Sequence, residues 1–156
     1  MDPLRKELSS YLRRGSAHAP LAEAAKDLPP ELMNGKIDGI PFTPWMLLEH
    51  IRVTQGDMVD FIRNPNYQGM KWPDAYWPPA DKKAGAAAWS KTMKEYEKDL
   101  RALEAIVLDE KNDLFAPIPH GSGQTIMKEV LQVIDHTSYH AGELILMRRA
   151  MHAWKQ

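Results

Sequence analysis

Residues 81–111 read DKKAGAAAWSKTMKEYEKDLRALEAIVLDEK, and their apolar positions decide the fold. Ala86, Trp89, Met93, Tyr96, Leu100, Leu103 and Val107 step alternately by three and four residues, the heptad spacing of a helix that buries one seam against other helices. A strand would require alternation by two. The opposite face carries Lys94, Glu97, Lys98 and Arg101, with Glu97 and Arg101 one helical turn apart, and reads as a solvated surface. Asp81 is the expected N-cap.

The helical period recurs on both sides of this segment. Upstream, Thr43-Pro44 supplies a side-chain cap and a first-turn proline for a helix running to about Arg63, with Leu47, Leu48, Ile51, Met58 and Ile62 as its buried stripe. Downstream, a helix from about Gln124 to Met151, with Ser122 as its expected cap, aligns Ile126, Val130, Val133, Thr137, Ala141, Leu144 and Arg148. Residues 3–14 place Leu4, Leu8, Tyr11 and Leu12 on one stripe before Gly15, and read as a short piece packed on the outside. Residues 19–28 form a further helix, with Leu21, Ala24, Ala25 and Leu28 apolar, ended by Pro29-Pro30. The expectation is an all-α, single-domain chain over residues 1–156. It is an antiparallel-type four-helix bundle with a long crossover between the second and third bundle helices and an extra short N-terminal helix.

Composition narrows the chemistry. The 156 residues contain six histidines and no cysteine, which excludes disulfides, thiolate metal sites, iron–sulfur clusters and cysteine nucleophiles. Any metal is held by nitrogen and oxygen. A formal charge of −1 lacks the basic footprint of a nucleic-acid binder, so no nucleic-acid partner is expected. No run of eighteen apolar residues occurs, so no membrane span is expected and the cytoplasm is the default location. Gly121-Ser122-Gly123 is neither a phosphate loop nor a nucleophile elbow, because the required lysine and glycine spacings are missing.

The connection from Asn64 to Asp81 is long, proline-rich and studded with aromatic and methionine side chains. Such loops in compact domains cover something or bind something. It reads either as a strap packed over the bundle end or as a lid that brings Trp72, Tyr76 and Trp77 over a substrate.

His136 and His140 stand at i and i+4 on the last helix, on the flank of its apolar stripe, close enough to share one ion. His50 occupies a similar flank on the Thr43 to Arg63 helix. Three imidazoles from two helices form a set with open coordination positions for water or substrate. The competing reading is of histidines satisfied by backbone or carboxylate partners. Glu49, Asp57, Asp135 and Glu143 are available as such partners, or as groups that orient the ligands of a metal. His18 and His152 sit at helix margins and read as solvated, and His120, in the loop before the last helix, is a further candidate for the pocket mouth.

The combination of Leu47-Leu48-Glu49-His50-Ile51, a long crossover, a charged heptad helix and Asp135-His136-Thr137-Ser138-Tyr139-His140-Ala141-Gly142-Glu143 resembles the DinB/YfiT-like family of metalloenzymes. The resemblance runs from about Leu4 to Trp154. It implies a four-helix bundle, commonly a homodimer, with one divalent ion, zinc or nickel, on three histidines, by position His50, His136 and His140. It also implies a small-molecule substrate, with low-molecular-weight thiols used by characterised S-transferases and isomerases of the family. Glu143 stands where many members have glutamine, which alters the charge beside the site. The alternative function is a non-catalytic dimeric helical module with structural or adventitious metal-binding histidines.

Overall fold

A computed structural model describes residues 2–154. These form five α-helices, α1 (Pro3–Arg14), α2 (Leu21–Ala25), α3 (Pro44–Arg63), α4 (Ala86–Leu108) and α5 (Ile126–Ala150), with no strand among the described residues. No helix is long and apolar enough to cross a membrane.

Local chemistry accounts for most boundaries. The Asp2 carboxylate accepts from the Leu4 N–H at 3.0 Å, Pro3 occupies the first turn of α1, and Gly15 ends it at φ +61°, a left-handed conformation that glycine adopts without strain. Thr43 Oγ1 accepts from Met46 N–H to open α3. Three expected boundaries are corrected. Helix α2 ends at Ala25, because Lys26 is extended and Asp27 has φ +54°; Leu28 reaches the core from non-helical chain. Helix α4 begins at Ala86 with Gly85 as cap, five residues after Asp81. Asn34 clamps the preceding chain open there, accepting from Ala84 N–H and donating to Ala84 O. Helix α5 is capped by Thr125, which accepts from Lys128 N–H, since Ile118 N–H pairs with Gln124 O and keeps Ser122 inside a tight loop.

The heptad seam of α4 is buried at Trp89, Tyr96, Leu100, Leu103 and Val107, while Met93 is half-buried and Ala86 exposed. Helix α3 packs against both α4 and α5, and α1 packs against the same two. The pairs Glu49–Thr92, Arg52–Glu95 and Gln55–Tyr96 advance together, so α3 and α4 run in the same direction, which corrects the antiparallel-type arrangement for this pair. The long connection between them gives the chain length to return before α4 starts.

The role expected for residues 3–14 is also corrected. Helix α1 is a full member of the bundle and α2 is the minor piece. Arg5 explains this: its buried guanidinium donates to Val107 O, Asp109 O and Asn112 O, carbonyls at and just beyond the end of α4 that have no partner within the helix. Leu8 and Leu12 are buried, and Arg13 and Ser9 both bond Glu104. Leu4 and Tyr11, the other two residues of the predicted stripe, are exposed.

Candidate metal centre

The α3/α5 interface brings His50, His136 and His140 together, each offering a ring nitrogen within 4.8 Å of the others. Ring centroids lie 4.4 to 4.9 Å apart. His50 is 2% exposed, His140 is 9% exposed and His136 is half-buried, so the cluster is largely withdrawn from water.

Two of the rings are oriented from behind. His50 Nδ1–H donates to the Tyr76 carbonyl at 2.9 Å, and His140 Nδ1–H donates to the Glu143 carboxylate at 2.6 Å. Each bond fixes the tautomer and leaves Nε2 as a lone pair for the cluster. His136 Nε2 faces His50 Nε2 at 3.1 Å. With metal to imidazole distances of about 2.0–2.1 Å, neighbouring ligand nitrogens stand about 2.9 Å apart at a right angle and about 3.4 Å apart at the tetrahedral angle. The His50–His136 spacing lies between these values. The donor set therefore fits a divalent ion, once the three nitrogens, which lie within 4.8 Å of one another, draw together to those distances.

Electrostatics point the same way. Burial lowers the His50 pKa, against the opposing effect of the Tyr76 hydrogen bond, and His140 lowers it further. Burial, reinforced by His140 and His50, lowers His136 from 6.5 to about 3. These two rings are neutral at pH 7, the form that binds metals. Because His136 resists protonation in the folded state, its contribution to stability is fully present above pH 6.5 and is lost as pH falls toward 3. Metal-free protein is expected to show a melting temperature that falls as the buffer is taken from pH 7 to pH 4, and His136→Asn is expected to flatten that slope. An unchanged slope would contradict the assigned environment.

The Trp77 ring lies on His50, centroids 3.9 Å apart and 4° from parallel, and Phe42 stacks on Trp77 in turn. Trp72 is 69% exposed and touches Tyr76. The segment from 64 to 81 is thus anchored at Trp77 and open at Trp72. Tyr67 and Tyr76 hydroxyls both donate to Asp57, at 2.9 and 2.7 Å. Burial and the bond to Asp57 push the Tyr76 pKa up to about 12 and raise Tyr67 as well, so both hydroxyls keep their protons as donors.

Of the four carboxylates considered as partners of the histidines, only Glu143 meets a ligand ring. Glu49 turns to the α3/α4 interface, bonded to Arg52 and Thr92; burial would raise its pKa, but these bonds hold it below its ordinary value. Asp57 reaches His50 only through Tyr76, and Asp135 is exposed on α5. His120 is not brought to the site: its Nε2 pairs with Phe61 O near the end of α3, eleven residues beyond His50. His18 and His152 are exposed. Sequence reasoning missed the Tyr76 carbonyl, which no side-chain pattern signals. It also missed Thr54 and Gln132, one turn from His50 and His136, which extending the i,i+4 register would have found.

Glu143→Leu removes the acceptor that orients His140 while leaving three imidazoles in place. The expected result is a 10–100-fold loss of metal affinity, roughly the cost of losing such an orienting partner, measured by competition with a chelating dye.

The chain matches no protein-family model, no curated protein and no solved structure. The site therefore stands on its own geometry.

Proposed function

We propose that the protein is a metal-dependent enzyme of the DinB/YfiT-like kind. It holds one divalent ion, zinc or nickel, on His50, His136 and His140, and acts on a small molecule as a hydrolase or as an S-transferase using a low-molecular-weight thiol. The observation that carries the reading is the convergence of the three rings, two of them with Nδ1 anchored so that Nε2 faces inward. When bound, the ion would supply Lewis acidity that lowers the pKa of a water or thiol at an open coordination position.

The chain's own residues supply the rest. The Tyr76 carbonyl and Glu143 hold two rings in register, and Trp77 shields the face of His50. With no cysteine in the chain, any sulfur nucleophile comes with the substrate. The long connection returning along α3 to a parallel α4 supports the crossover bundle of that family. The alternative, a non-catalytic module with structural histidines, calls for a sealed interface. An open cavity between α3 and α5, lined in part by Trp72 and Tyr76, favours the enzyme.

The proposed partner is a second copy of the chain. Leu131, Tyr139 and Leu146 lie 53%, 66% and 60% exposed on the outward side of α5, which they share with the exposed Asp135, and offer apolar contacts to a homodimer. A monomeric mass by sedimentation at micromolar concentration would remove this part of the reading. We place the protein in the cytoplasm, with neither nucleic acid nor membrane as partner.

The test uses protein purified without an affinity tag, stripped and then loaded with zinc or nickel. The loaded form is expected to accelerate conjugation of a small thiol to monochlorobimane, or hydrolysis of an ester or amide, above the stripped form. Equal rates for loaded and stripped protein with every thiol and every hydrolysable substrate would overturn the enzymatic reading.

A further inference from the structure

Beyond the histidines the α3/α5 groove continues into a cavity of about 390 Å³. Its lining residues Thr54 and Gln132 stand one helical turn from His50 and His136, so the cavity lies next to the metal centre along α3 and α5. Its walls are chemically specific. Two carboxylates, Asp57 and Glu129, face a space lined by Phe61, Tyr67, Trp72 and Tyr76, together with one cation, Lys128, and the amides of Gln124 and Gln132.

Two of these polar groups lack partners. Glu129 is 6% exposed, and its carboxyl forms no hydrogen bond among the described residues. Thr54 is also 6% exposed, and its Oγ1 is buried with no hydrogen-bond partner. Thr54 Oγ1 is enclosed, whereas the Glu129 carboxylate oxygens are not, so the carboxylate is open to a partner entering the cavity. Burial raises the Glu129 pKa and Asp57 raises it further, while Lys128 opposes both. A positive charge in the cavity would relieve that repulsion.

A hydrated inorganic ion would use the two carboxylates but leave the aromatic walls without a partner. Aromatic faces do suit an organic cation, which they attract through the ring quadrupole. The volume fits a small molecule.

We infer that this cavity binds an organic ammonium ion, seated between Asp57 and Glu129 against the tyrosine rings, with its N–H groups donated to the two carboxylates. Asp57 is held in place by the two tyrosine hydroxyls. Tyr76 bonds Asp57 through its hydroxyl and His50 through its carbonyl, so one residue links the cation pocket to the metal centre. Use of the pocket as a substrate subsite rests on the metalloenzyme reading. Binding of the ammonium ion does not.

Calorimetric titration of the full chain, metal-stripped and zinc-loaded, tests the inference with benzylammonium as probe and benzyl alcohol, benzoate and benzyltrimethylammonium as comparators. Benzylammonium is expected to bind about tenfold or more tighter than benzyl alcohol, in both metal states, and tighter than the trimethyl ion, which has no N–H to donate. Glu129→Gln is expected to weaken it about tenfold and Lys128→Gln to strengthen it severalfold, roughly the effect of removing one attractive or one repulsive charge. Two variants with opposite expected signs keep the test decisive if either one folds poorly. Equal affinity for the alcohol, preference for benzoate, or affinity unmoved by either variant would overturn the inference. Ammonium binding in protein that takes up no metal would leave the pocket standing and remove only the metal reading.

Discussion

His136→Ala is expected to lose stoichiometric zinc or nickel while remaining folded. His136 is the ligand whose removal separates metal binding from architecture most cleanly. His50 is sealed under Trp77 and His140 is 9% exposed, but His136 is half-buried, and its ring meets the other two histidines. Deleting it leaves two nitrogens, too few to hold an ion against water and chelators. The expected rise in dissociation constant is at least about 100-fold, the upper end of what loss of an orienting group alone produces. Elemental analysis after dialysis, with circular dichroism as the folding control, measures it. Stoichiometric metal persisting in the folded variant would place the ion elsewhere and defeat the proposed centre.

The largest expected loss of stability belongs to Arg148→Ala. Arg148 lies in the last turn of α5, 6% exposed, on what the sequence presents as an apolar stripe. Its Nη1 donates to Ala24 O at 2.7 Å and Lys26 O at 2.6 Å, its Nε and Nη2 both donate to Ala153 O, and the guanidinium stacks on Trp154. One side chain thus closes the end of α2 and the turn after α5 against the bundle. Burial lowers its pKa, with Asp27 acting in the opposite sense, but a guanidinium stays charged across the working pH range. Truncation strands three carbonyls, and hydrogen bonds from a charged donor are worth enough that the loss should be about 3–4 kcal/mol. For a chain of this size that corresponds to a melting temperature lower by roughly 6–15 °C. Arg148→Lys should recover only part of it, because an ammonium lacks the planar fork that serves both sides at once. A melting temperature within a degree of the parent would show that the carbonyls are satisfied without it.

The parts of this fold legible in the sequence are those governed by neighbours along the chain. Thr43-Pro44 and Gly15 marked helix ends because their effect is local: a hydroxyl reaching an N–H three residues on, and a residue free to turn left-handed. The heptad of α4 was legible because burial of one face leaves a period. Boundaries failed where a distant residue outbid the local signal. Asp81 is a sound cap by type, yet Asn34, fifty residues away in sequence from Ala84, holds the chain extended past it. The same holds for Glu49, which sits beside His50 in sequence but faces Arg52 and Thr92 at another helix interface.

Sequence alone determined the helical class, the absence of sulfur chemistry from the chain itself, and the i,i+4 pairing of His136 with His140, since composition and helical period need no partner. Tertiary structure alone decided that His50 joins them, that the Tyr76 carbonyl and Glu143 aim the rings, that α1 belongs to the bundle, and that an acidic, aromatic cavity adjoins the histidines. The reason is physical. Those features are contacts between surfaces that meet only when α3 and α5 pack together, and no spacing within one segment encodes which faces will meet.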